Sequence, residues 1–250
     1  MVVCYDEGLL REKLGDRLHY YTELGSTNEE ALELGLEGAK HGVVVLAERQ
    51  VAGRGRRGAD WFCGEGAGLA FSVVLRPNFE RVLWPRFSLM AGLAVAQSIE
   101  RLGLFPEIKW PNDVLLAGRK VSGILVEAAG DCVVVGVGLN VKAVELPAGL
   151  REVATSLQEA GGRETTREEQ LLAILRRFDS LQNQLGLGFE GLVEQVQRSC
   201  ALSGKEIEFW VGQERKRGVC EGIGNGGDLL VREGKSVLRY MTADEIRVVK

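Results

Sequence analysis

The chain has 250 residues, 45% of them hydrophobic and 26% charged, with a formal net charge of −4. That length fits one large domain or a large domain joined to a small one. The negative balance excludes a general electrostatic binder of nucleic acid, so any anion site must be local.

The first fourteen residues carry Asp6, Glu7, Arg11, Glu12 and Lys13 and do not read as a signal peptide. A short helix is predicted over 7–14 and a strand over 17–21. Gly25-Ser26-Thr27-Asn28-Glu29-Glu30 reads as a helix start. Ser26 or Thr27 caps it, and the two glutamates suit the positive end of the dipole. The helix runs to about Leu36, and Val43 to Glu48 forms a strand.

That strand feeds into three glycines and three arginines in six positions, Gly53-Arg54-Gly55-Arg56-Arg57-Gly58, followed shortly by Trp61. Glycine lets the backbone approach a ligand closely, and arginine offers a planar charged fork to carboxylate or phosphate oxygens. The spacing satisfies G-x-G-x-x-G, yet a dinucleotide site needs a helix to follow. Trp61-Phe62-Cys63-Gly64 is a poor helix start. The segment reads as a loop that closes over an anion, mobile until a ligand orders it.

Leu69 to Arg76 is the next strand, and a long helix is predicted from about Leu83 to Leu102 on the spacing of Leu89, Leu93 and Ala96. In Pro106-Glu107-Ile108-Lys109-Trp110-Pro111-Asn112-Asp113, proline breaks any helix and puts Lys109 at the irregular end of a strand. Ala117 to Lys120 reads as a turn. Strands follow at 121–127 and 132–141, giving three successive antiparallel strands. Gly136 and Gly138 lie two apart, on one strand face, and clear room there. Residues 141–165 read as loop with a short helix at 155–160. A Thr166-capped helix and another at 190–198 complete the larger unit. After Gly204, five short strands in under fifty residues predict a small SH3-like barrel.

Five cysteines without a C-x-x-C pair read as free thiols of a reducing compartment. Two histidines make a zinc site improbable. No apolar run of roughly 18 residues is evident, so the chain reads as soluble and cytoplasmic. The expected architecture is α+β: domain 1–203 with a mainly antiparallel sheet flanked by helices, then 204–250 as the small barrel.

These stretches, in this order, resemble those of the biotin–protein ligases. Ser26-Thr27-Asn28 resembles the family's S-T-N element. Gln50 with Gly53 to Trp61 resembles its G-R-G-R-R-G-x-x-W loop. Lys109 to Asp113 matches K-W-P-N-D, and Gly123 to Glu127 with Gly136 to Val141 matches G-I-L-V-E and G-x-G-x-N. The resemblance spans about residues 17–250 and implies a fold related to class II aminoacyl-tRNA synthetases and lipoate ligases. It implies a two-step ligase, in which biotin and ATP give biotinyl-5′-adenylate and pyrophosphate. A lysine of the biotin carboxyl carrier protein then displaces AMP.

By the same resemblance, Ser26, Thr27, Asn28, Gln50, Arg54, Gly55, Arg56 and Lys109 bind biotin, with Lys109 and Arg56 as the catalytic pair. Arg57, Trp61, Asn112, Asn140 and Gly123 are weaker candidates for the ATP end. Gly136 and Gly138 are candidates for the pocket floor, Asp113 is a candidate base, and Mg²⁺ accompanies the phosphates. The chain begins at the catalytic domain without a helix-turn-helix, which implies a monofunctional ligase with no DNA or membrane partner. Pairing of two copies through a sheet edge is the homodimer the family suggests. Ala59-Asp60 departs from the basic residue the family often carries there. The rival readings are a lipoate or octanoyl ligase, a biotin-sensing repressor and an inactive binding module.

Overall fold

The computed structural model describes residues 4–62, 64, 66–143, 149 and 152–249. The chain opens with α1 (Glu7–Leu14), β1 (Leu18–Leu24), α2 (Thr27–Leu36) and β2 (Val43–Gln50). Because α2 carries the chain back across the sheet, β1 and β2 pair in parallel. Next come β3 (Gly68–Leu75), α3 (Arg86–Glu100), β4 (Pro106–Lys109), β5 (Asp113–Leu116), β6 (Arg119–Ala129) and β7 (Cys132–Asn140). Their sheet has the order β1-β2-β3-β7-β6-β5-β4, antiparallel beyond the first pair. The sheet is mainly antiparallel, as expected, and the parallel β1–β2 pair makes it mixed.

Strand alternation decides where a site can form. Leu69, Phe71 and Val73 of β3 and Val133, Val135, Val137 and Leu139 of β7 point into the main core with α3. The opposite face of the same strands carries Ala70, Ser72, Gly136 and Gly138. Side chains alternate with a period of two, so one face is a dense apolar layer and the other is hollow. α2 covers only one end of the hollow face, through Ala31 against Val43, Val45, Val74 and Val134.

The large core is closed by α4 (Arg167–Leu181) and α5 (Phe189–Arg198). Thr166 accepts from the Glu169 N–H while Glu169 accepts from the Thr166 N–H, so the expected cap is a full capping box. α3 begins three residues later than predicted, after Pro85, and a short 3-10 turn occupies Arg81–Leu83. Contrary to the sequence reading, the 20-residue stretch Arg81–Glu100 is long and apolar enough to cross a membrane, but it is mostly buried as the core helix. The helix expected at 155–160 is a turn instead. Its amides bond outward, Leu157 N–H to Asn140 O (3.0 Å) and Gln158 N–H to Val141 O (3.1 Å), which ties the segment to the end of β7. Of the loop before it, residues 144–148, 150 and 151 lie outside the described residues.

The predicted five C-terminal strands are all present: β8 (Glu206–Val211), β9 (Glu214–Ile223), β10 (Leu229–Glu233), β11 (Ser236–Tyr240) and β12 (Asp244–Val248). They form one antiparallel sheet in the order β11-β10-β9-β8-β12, and among the described residues β11 and β12 do not pair to close it. The sheet packs into the main core through Ile207, Phe209, Leu229, Val231 and Ile246. Trp110 also donates its indole N–H to Gly227 O at 2.8 Å.

One buried ion pair anchors the start of the arginine loop. Arg167 Nη1 lies 2.6 Å from Glu48 Oε1, with side chains 3% and 6% exposed. Glu48→Ala removes the carboxylate of a buried ion pair and is expected to cost about 3 kcal/mol of stability in denaturant unfolding.

Candidate functional site

The hollow face becomes a floor through its register. Ala70 of β3 lies beside Gly138 of β7, which lies beside Gly123 of β6; one row on, Ser72 neighbours Gly136 and then Leu125. A Cβ on Gly138 would fall 2.1 Å from Trp61 Cε2, and one on Gly136 would fall 2.0 Å from Asn28 Oδ1. Bare glycine backbone thus lets an indole lie flat on one row and an amide on the next. These glycines have the role predicted for them, making space. The cleft above them has a volume of about 460 Å³.

The end beside α2 is polar and internally satisfied. Gln50 Oε1 accepts from the Thr27 N–H at 2.8 Å and lies 3.0 Å from Thr27 Oγ1. Buried Ser72 donates to Asn28 Oδ1 at 2.6 Å and sits 2.8 Å from Thr27 Oγ1. Asn28 Nδ2 in turn donates to Glu127 Oε2 at 2.8 Å. Ser26 stands at the helix N-cap, but its side chain makes no cap hydrogen bond. The expected capping role is not taken up, and Ser26, Thr27 and Asn28 all line the cleft.

The arginine segment folds over this floor as a small hairpin. Arg54 bridges Asp60, Gly55 N–H donates to Ala59 O (2.6 Å) and Trp61 N–H donates to Gly53 O (2.9 Å). Among the described residues no helix lies between this hairpin and β3, so the dinucleotide pattern has no structural counterpart there. Arg54 reaches Glu29 (3.1 Å) and Glu127 (3.8 Å) at the polar end. Arg56 and Arg57 turn the other way, to Asp244 of β12 at 3.1 and 2.5 Å. Trp61's indole N–H is buried against Gly138 without a hydrogen-bond partner.

Two lysines flank Asp113. Lys120 Nζ lies 2.6 Å from Asp113 Oδ1, and 5.5 Å from the centre of the Trp61 ring. It hangs 3.0 Å from where a Gly123 Cβ would be, over the floor. Lys109 pairs with Asp113 across β4 and β5 but does not line the cleft. Burial lowers its pKa, Asp113 raises it, and the charges of Lys120 and Arg247 lower it.

Of the predicted residues, Ser26, Thr27, Asn28, Gln50, Arg54, Gly55, Arg56, Arg57, Trp61, Asn112 and Gly123 come together around one cleft. Lys109 and Asn140 do not. Asn140 Nδ2 donates to Thr155 O at 2.9 Å and braces the neighbouring turn. The structure adds Ser72, Lys120, Glu127 and Asp244. Four cations (Arg54, Arg56, Arg57, Lys120) and four carboxylates (Asp60, Asp113, Asp244, Glu245) line the cleft. It is formally neutral, so a polyanion needs a counter-cation of its own. Among the described residues, no cluster of three or more His, Cys, Asp or Glu could hold a metal ion.

The site is thus a glycine-floored cleft on a mixed sheet, with an arginine hairpin folded over it. The chain matches the biotin/lipoate A/B protein ligase family over residues 22–140. It is 34% identical over 247 residues to the bifunctional ligase/repressor BirA of Bacillus subtilis, covering 95% of this chain and 76% of that protein. It is 36% identical over 222 residues to the biotin–[acetyl-CoA-carboxylase] ligase of Paracoccus denitrificans, 83% of this chain and 90% of that one. The Aquifex aeolicus biotin protein ligase, solved in complex with biotin and ATP, superposes with a TM-score of 0.83 at 30% identity. That match covers 94% of this chain and all of the other. The chain belongs to the biotin/lipoate A/B protein ligase family.

Proposed function

We propose that the chain is an ATP-dependent biotin–protein ligase acting on the biotin carboxyl carrier protein of acetyl-CoA carboxylase or a related carboxylase. The observation that carries this reading is the cleft itself. Thr27, Asn28 and Gln50 re-pair from their own network to a neutral ureido ring, Trp61 seated on the glycine floor takes its apolar body, and Lys120 and Arg56 stand at the far end for its carboxylate.

In the first step the biotin carboxylate oxygen attacks the α-phosphorus of ATP, and pyrophosphate leaves. Negative groups must approach each other, and Lys120 and Arg56 offset the repulsion. The lysine role first given to Lys109 passes to Lys120 in this reading, and Lys109 supports it from behind Asp113. Because the lining is formally neutral, ATP enters as its Mg²⁺ complex. In the second step the carrier lysine amine attacks the acyl carbon, the acyl–phosphate bond breaks and AMP leaves. At a reference pKa of about 10.4 that amine is protonated at neutral pH, and Asp113, beside Lys120, takes the proton. The C-terminal strands, from about residue 204, act as the family's SH3-like domain. A cytoplasmic location and a homodimer paired at a sheet edge complete the reading.

Arg56 also predicts a leak. Arg56→Gly is expected to release biotinyl-adenylate into solution and to label bystander proteins on lysine, scored by streptavidin blot with and without a carrier domain. Adenylate retained as tightly as in the parent would count against the lid role. The function itself is tested by ATP-dependent incorporation of biotin into a carrier domain, with lipoate as the alternative substrate. Preference for lipoate would replace this reading with that of the sister ligases.

A further inference from the structure

The C-terminal sheet reaches the cleft at one point. Asp244, the first residue of β12, and its neighbour Glu245 are the two residues of that sheet in the cleft wall. Asp244 is only 9% exposed, and its two oxygens each take one guanidinium of the hairpin. Arg56 Nη2 lies 3.1 Å from Oδ1, and Arg57 Nη2 lies 2.5 Å from Oδ2. Arg56 is held further by Ala243 O at 3.5 Å and Asn112 Oδ1 at 3.4 Å.

The two arginines are not equivalent. The Arg57 side chain is 60% exposed and the Arg56 side chain 34%. Arg57 also takes a left-handed backbone, with φ of 55°, which a non-glycine residue adopts only at a cost. Something must hold it there, and the carboxylate it meets belongs to a strand almost two hundred residues away. A nearly buried carboxylate is screened far less than a surface one, so this contact can hold a loop where an exposed pair could not.

We propose that Asp244 is a positioning residue that latches the arginine hairpin shut. Through Arg57 it anchors the hairpin to the C-terminal sheet, and it presents Arg56 to the cleft as a phosphate oxygen would. When adenylate forms, Arg56 transfers to the ligand while Arg57 stays on Asp244, so the lid remains closed over the mixed anhydride. This rests on the ligase reading for the identity of the ligand, but the latch itself is a property of the unliganded chain.

The test therefore has two arms on the full-length protein. Without substrates, amide hydrogen exchange is followed at Gly55, Ala59 and Trp61, whose N–H groups bond within the hairpin. Asp244→Asn is expected to speed their exchange about tenfold, the scale of a lost charge-assisted hydrogen bond, with β8 to β10 unchanged. Arg57→Gln, which leaves β12 intact, must give the same rise, and Asp244→Glu must restore most of the protection. With biotin and MgATP, Asp244→Asn is expected to lose bound biotinyl-adenylate about tenfold faster. Parental exchange in both Asp244→Asn and Arg57→Gln overturns the latch. So does an Asp244→Glu protein no better than Asp244→Asn. A parent protein that forms no biotinyl-adenylate overturns the ligase reading instead, and the exchange arm still decides the latch.

Discussion

Lys120→Gln is expected to reduce adenylate formation on the order of 10²–10³-fold at unchanged folding stability, the scale of removing one donor that faces developing charge. The amine lies over the glycine floor beside Trp61 and 2.6 Å from Asp113. From there it can follow a carboxylate oxygen from free acid to mixed anhydride. Lys109→Gln is the comparison. Its side chain is set back on β4, its pKa lowered by burial, and it acts on the cleft through Asp113 and the charge of Lys120. A loss of about tenfold or less is expected there, as for a charge acting at a distance. Pre-steady-state pyrophosphate release measures both. If Lys109→Gln is the more damaging substitution, the assignment drawn from the cleft geometry is wrong.

The second large effect concerns the floor. Gly138→Val places a branched side chain where Trp61 now lies, since even a bare Cβ would sit 2.1 Å from the indole. The neighbour is a rigid ring pressed on backbone, so it cannot yield by a small side-chain rotation. Trp61 is expected to be expelled, and the hairpin that ends at Trp61 to lose its seat. Biotin affinity by calorimetry should fall by about a hundredfold or more, equivalent to losing most of one buried aromatic's packing. Far-ultraviolet circular dichroism should keep the parental spectrum, because the opposite face of β7 is untouched. An unchanged affinity would mean that ligand does not use this row.

Much of the site was legible because its parts are local. Gly136 and Gly138, two apart on a strand, foretold a cleared face, and the structure fills it with Asn28 and Trp61. Lys120 was missed for a specific reason. Ala117 to Lys120 read as a four-residue turn, whereas Ala117 and Gly118, both at positive φ, complete it alone as a tight two-residue hairpin. Arg119 and Lys120 are thereby strand residues, and the lysine projects from β6 over the cleft. Ser72 was hidden in an apolar run, where a single hydroxyl carries no signal until its partners on α2 are known. Asp244 could not be found at all from its surroundings, because its meaning lies in two arginines on the far side of the chain. The five C-terminal strands were readable from their turns. Their spatial order, with β11 and β12 at opposite edges, depends on pairing that no single strand encodes.

The central claim is that this cleft activates biotin as an acyl-adenylate. Incubating the purified protein with biotin and ATP labelled at the α-phosphate, then separating the bound fraction, tests it most directly. The account predicts protein-bound biotinyl-5′-AMP with one pyrophosphate released for each adenylate, formed far more slowly when Lys120 is replaced by glutamine. Label that stays in ATP, or that moves to lipoate in preference to biotin, would contradict it.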